Sequence, residues 1–114
     1  DISRLYHEEK YLMDTHTAVA HTVLRKYKKE SKDYKQSLII STASPYKFPR
    51  SICSALGIEV ENYNDFQVLD ILNSYTKIPI PKNLRNLDSQ PILHRAVCQK
   101  EDMKKELLSF LYER

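Results

Sequence analysis

The sequence predicts an α/β fold: a helix-rich chain of about five helices with one buried parallel strand over about 37–43. Three observations carry that prediction. Leu38-Ile39-Ile40 is a continuous apolar run, the pattern of a strand covered on both faces rather than one. Segments with helical apolar spacing lie before and after it. The run then leads without any glycine into Ser41-Thr42-Ala43-Ser44 and on to Pro49, a strand-to-helix turn of the kind that faces bound ligands in open α/β sheets. Thr42 is therefore the first candidate for a ligand contact, a local hydrogen bond at the strand end being the other reading.

In chain order, Ile2, Leu5 and Tyr6 recur at i, i+3 and i+4 and predict a first helix. Asp14 or Thr15 can cap a second helix over about 15–30. Its expected buried stripe is Ala20, Val23, Leu24 and Tyr27, with His21, Arg25, Lys28 and Lys29 turned outward. Lys32, Asp33 and Tyr34 form a polar connection to the strand. Pro49 suits the first position of a short helix carrying Ile52, Cys53 and Leu56, which Gly57 can end. Asp65 opens a fourth helix with Val68, Ile71, Leu72 and Tyr75 on one face. Pro79, Pro81 and Pro91 predict an extended connector over 77–91 that wraps a surface. A last helix has Met103, Leu107, Phe110 and Leu111 as its buried stripe. One parallel strand makes no sheet, and Tyr11–Met13 and Ile92–Val97 are only weak further candidates. The rest of the sheet is expected outside residues 1–114, which read as a single segment of a larger domain, and a beginning at Asp1 reads as a fragment or processed product.

Composition narrows the function. The 114 residues are 41% apolar and 29% charged, ordinary for one globular domain. A single glycine, Gly57, stands where about eight are usual for this length, which excludes a GxGxxG or P-loop phosphate cradle. The net charge of +3 comes from 18 basic and 15 acidic residues, mostly interleaved, and no nucleic-acid motif accompanies it. The basic run Arg25-Lys26-Tyr27-Lys28-Lys29 reads as a solvated helix end, a phosphate patch being the alternative. Cys53 and Cys98 fit neither a redox pair nor zinc-ligand spacing and are expected as reduced, buried thiols. His7, His16, His21 and His94 show no metal-binding spacing, and Ser41, Ser44 and Ser51 lack a nucleophile elbow. No apolar run is long enough for a membrane span, so no membrane partner and a cytoplasmic setting are expected.

Two motifs point to a family. Asp14-Thr15-His16-Thr17-Ala18-Val19-Ala20 resembles the DPHTAVA segment of threonine synthases, with threonine replacing proline. Ser41-Thr42-Ala43-Ser44-Pro45-Tyr46-Lys47-Phe48-Pro49 resembles their TAHPAKF segment, with Ser44 in place of histidine and Tyr46 in place of alanine. Ile80-Pro81-Lys82-Asn83-Leu84 and Leu87 are similar to an IPxxLxxL stretch near the family's C-terminus. The motifs occur in the family's order and cover nearly the whole chain.

The resemblance implies the C-terminal, helix-rich piece of a pyridoxal-phosphate enzyme of the tryptophan-synthase-β-like fold, fold-type II. Such an enzyme converts O-phospho-L-homoserine and water to L-threonine and phosphate in amino-acid biosynthesis. It further implies that the cofactor-bearing lysine and the phosphate loop belong to an N-terminal remainder, so this chain is expected to be inactive alone. Lys47 matches a position at the start of a helix, not the cofactor lysine. By position, Thr42 matches the residue that donates a hydrogen bond to the pyridine nitrogen of the cofactor. Asp14, His16 and Thr17 are either residues of the pocket rim or simply a capped helix N-terminus. Against the enzyme stands a second expectation, a free-standing, non-catalytic α/β interaction module derived from the same scaffold. Exposed apolar faces of a fragment are expected to promote self-association.

Overall fold

The computed structural model describes residues 1–112. Five α-helices form: α1 (Ile2–Glu9), α2 (Thr15–Ser31), α3 (Pro49–Leu56), α4 (Asp65–Thr76) and α5 (Met103–Tyr112). No strand occurs among the described residues, so the predicted α/β fold is corrected to a helical one. The strand expected over 37–43 is irregular chain, with Leu38 88% and Ile40 76% exposed. The reason is that a strand exists through its ladder bonds to a neighbour, and no described segment supplies one. The weaker candidates fail as well. Leu12 and Met13 are buried in the bend between α1 and α2, whereas Ile92 and Val97 are exposed without secondary structure.

The helices begin and end for local chemical reasons. Asp14 caps α2 by accepting the amides of His16 and Thr17, which satisfies two N–H groups that have no partner within the helix. Asn64 and Gln67 form a reciprocal capping box at the start of α4. Pro49 occupies the first turn of α3, where the missing N–H costs nothing. Gly57, at φ +76°, turns the chain back after α3 so that the Ile58 amide reaches the Cys53 carbonyl at 2.9 Å. With glycine so scarce, Lys10, Lys32 and Lys77 take the same left-handed conformation after α1, α2 and α4, a backbone region that disfavours side chains.

The core sits in the middle of the chain. Helix α3 packs against α4 and α1, burying Ile52, Cys53 and Leu56 against Val68, Leu69 and Leu72. Ile78, Ile80 and Leu84 fold back onto this cluster. The Tyr46 hydroxyl and the Asn73 side-chain amide both donate to the Ile78 carbonyl, at 2.6 and 2.7 Å. These two bonds fix where the chain re-enters the core after α4.

The ends of the chain are different. The stripe expected to be buried on α2 is largely outward-facing, with Ala20, Val23 and Tyr27 exposed. On α5, Met103, Leu107, Phe110 and Leu111 are exposed too. Helical periodicity shows which face can be buried, but not whether a partner is present to bury it. The radius of gyration is 19.4 Å, against about 13 Å for a compact chain of this length.

Cys53 is buried and Cys98 exposed, which corrects the expectation of two buried thiols. Cys98 lies in the irregular segment before α5, where no neighbouring element covers it. Burial pushes the Cys53 thiol up from its ordinary range, and the nearby Arg50 only partly opposes this. In the folded chain one thiol, Cys98, should therefore react rapidly with a disulfide reagent, and Cys53 should react only on unfolding. Two equally fast thiols in a colorimetric thiol count would contradict the packing of α3. No helix among the described residues is long and apolar enough to cross a membrane.

Candidate functional site

Asp14 is a carboxylate only 2% exposed, and such a group persists only if its lone pairs are satisfied. One oxygen, Oδ1, accepts the amides of His16 at 2.9 Å and Thr17 at 3.2 Å. The other, Oδ2, accepts the hydroxyls of Thr17 and of Ser41, the latter at 3.1 Å. The two hydroxyl oxygens lie 2.9 Å apart. Burial alone would raise the Asp14 pKa, but the bonds from the Thr17 hydroxyl and amide, the His16 amide and the Ser41 hydroxyl outweigh it and hold the carboxyl below its ordinary value. Asp14 is therefore an anion at neutral pH and acts as acceptor only.

This cluster joins the start of α2 to the segment that carries Thr42. Thr42 itself is exposed. Its neighbours on the N-terminal side, residues 33–37, make side-chain hydrogen bonds only within two residues of themselves. On the C-terminal side the Ser44 hydroxyl accepts the Tyr46 amide at 3.2 Å and opens a single tight turn over Pro45–Lys47. Of the candidates from sequence, Asp14 and Thr17 come together, and Thr42 lies one residue beyond their partner Ser41. His16 is exposed and stands against the Phe48 ring at 5.6 Å between centroids. Lys47 lies over the same ring, its Nζ 5.6 Å from the Phe48 centroid.

Beside the turn, Tyr46, Phe48, Pro49, Arg50, Phe66 and Leu84 contribute to an open cleft of about 330 Å³. Its guanidinium is already committed. Arg50 Nε donates to Asp65 at 2.7 Å, and its two terminal nitrogens donate to the carbonyls of Val60 and Tyr63 at 2.9 and 2.5 Å. No group of three or more His, Cys, Asp or Glu among the described residues is placed to hold a metal. Spacing in the sequence gives no hint of these contacts, because Ser41 and Tyr46 reach 27 and 32 residues along the chain and Arg50 reaches across a loop to the next helix. Only the position of Ser41 next to Thr42 could have drawn attention to it.

The family model described as "Threonine synthase, C-terminal" matches residues 17–106, a span that includes Thr17, Ser41 and Thr42 and begins just after Asp14. Threonine synthase-like 1 of Mus musculus is 40% identical over 80 residues, covering 70% of this chain and 10% of that protein. The chain thus spans about a tenth of the length of the curated relative it matches. No solved structure matches it.

Proposed function

The chain belongs to the threonine synthase C-terminal family, and from that premise we propose that it is the C-terminal portion of a pyridoxal-phosphate enzyme. The reaction is conversion of O-phospho-L-homoserine and water to L-threonine and phosphate, with the N-terminal remainder of the enzyme as this segment's partner. The cofactor, when bound, supplies the electron sink for that chemistry. The observation that carries the reading is the state of Thr42: an exposed residue, on a segment anchored by its neighbour Ser41 to a buried carboxylate. Such a side chain fits a single hydrogen bond offered outward to a ring nitrogen. A neutral hydroxyl donates that bond without the charge that would hold the nitrogen protonated.

The same donor set also says what this chain lacks. With one glycine, at a helix end, the described residues form no glycine-rich cradle for a phosphate, and in this reading the remainder supplies that cradle and the cofactor lysine. By itself the segment is then inactive. The exposed apolar residues on α2, α5 and the 34–40 segment suit a piece completed by further protein more than a self-sufficient module.

In the complete enzyme, Thr42→Val keeps the side-chain shape and removes the donor. It should lower turnover by about tenfold, the worth of one good hydrogen bond, and shift the absorption spectrum of the bound cofactor. A variant with unchanged turnover and an unchanged spectrum would remove Thr42 from the site.

A further inference from the structure

We propose that Asp14 is a positioning residue for Thr42, acting through the Ser41 hydroxyl. The inference deepens the proposed function and depends on Thr42 being the cofactor contact. A helix cap needs one carboxylate oxygen, and here Oδ1 alone serves both amides of the first turn of α2. The second oxygen is left for another task. It receives Ser41, 27 residues further along the chain, together with Thr17, whose hydroxyl also touches Ser41. Ser41 is thus bonded to the carboxylate that caps a helical turn and lies in contact with the Thr17 hydroxyl, whose one proton goes to the same carboxylate.

The surrounding chain makes this hold consequential. Leu38 and Ile40 extend into solvent, and the hydrogen bonds of residues 33–37 are local. Position 42 therefore lies between the Ser41 anchor and the turn that Ser44 opens. An anchor one residue away fixes the Thr42 α-carbon to within the reach of a single peptide unit. Charge assistance strengthens the Ser41 bond relative to one between neutral groups. Because the carboxyl is held below its ordinary pKa, the anchor stays in force across neutral and mildly acidic pH.

Ser41→Ala tests the anchor while leaving the cap intact, and Ser41 lies outside the core, so the fold is not at risk. In the 114-residue chain, backbone ¹⁵N relaxation at Thr42 should report a rigid site in the wild type and an order parameter below about 0.6 in Ser41→Ala. Ser41→Thr, which restores the hydroxyl, should return it toward the rigid value, and α3 and α4 should be unaffected throughout. An order parameter at Thr42 that is the same in the wild type and Ser41→Ala overturns the proposal.

In the complete enzyme the cofactor spectrum separates this inference from the function on which it depends. Ser41→Ala and Asp14→Asn should each move the spectrum in the direction of Thr42→Val, and combining them should add little to either alone. If Thr42→Val shifts the spectrum but Ser41→Ala leaves it as in the wild type, the positioning role fails and the functional reading stands. If Thr42→Val itself changes nothing, the functional reading fails and takes the positioning role with it.

Discussion

Ile52→Ala should destabilise the chain by about 2–5 kcal/mol, the range for deleting a large aliphatic side chain from a packed interior. Ile52 is completely buried and sits where α3 meets both α1 and α4. Truncation removes three carbon atoms from contact with Val68 and Leu72, which are equally buried, and α3 is held too firmly at Pro49 and Gly57 to close the space. Urea unfolding followed by helical circular dichroism measures the effect as a lower midpoint with an unchanged slope. Ile52→Val, which loses one methylene, should cost about 0.5–1.5 kcal/mol. A loss below half a kcal/mol for the alanine variant would mean that α3 does not pack as described.

Arg50→Lys comes second, at about 1–3 kcal/mol, and is informative because the substitution keeps the charge. The ion pair with Asp65 is solvent-exposed on both sides and contributes little. More important are the carbonyls of Val60 and Tyr63, which the two guanidinium arms reach across the loop between α3 and α4. An ammonium group cannot span that fork, so at least one carbonyl loses its donor. The same denaturation measurement checks it, and amide exchange should show faster opening of residues 58–64 than of α4. A wild-type midpoint for Arg50→Lys would show that the charge alone does the holding. Three of the five guanidinium N–H donors are thus engaged within the chain, although Arg50 lines the cleft.

The helices were legible in the sequence because their signals are local. Asp14, Pro49, Asp65 and Gly57 mark their boundaries through chemistry within a few residues, and Val68 and Leu72 recur at helical spacing. Asp65 opens α4 as expected, and what the local pattern left unnoticed is the cap just before it, Asn64, with Gln67 as its reciprocal partner. The strand was misread because an apolar run such as Leu38-Ile39-Ile40 records a tendency toward burial, whereas a strand also needs a neighbour, which the run does not encode. The outward stripes of α2 and α5 mislead for the same reason. At the candidate site, the turn after the apolar run pointed to Thr42 and motif likeness added Asp14, His16 and Thr17, but no local pattern shows that Ser41 joins Asp14 and Thr17 to the Thr42 segment. Tyr46, a departure from the family's alanine, turns out to be buried and bonded to the Ile78 carbonyl. Its role depends on a contact 32 residues away.

The placement of the core has a kinetic consequence. From Tyr46 through Val60 to Leu72 and on to Leu84, nearly all the side chains that pack together come from one uninterrupted stretch of sequence, with Leu12 and α1 as the distant contributors. Loops closed within such a stretch are short and lose little entropy, and topologies dominated by near neighbours cross their folding barrier quickly. On a ribosome, this stretch can complete its structure as soon as Leu84 clears the exit tunnel, before α5 (Met103–Tyr112) has emerged. The segment bearing Thr42 precedes that stretch and can be tied down by α2 beforehand, so any N-terminal remainder already synthesised would meet a finished docking platform rather than a folding chain.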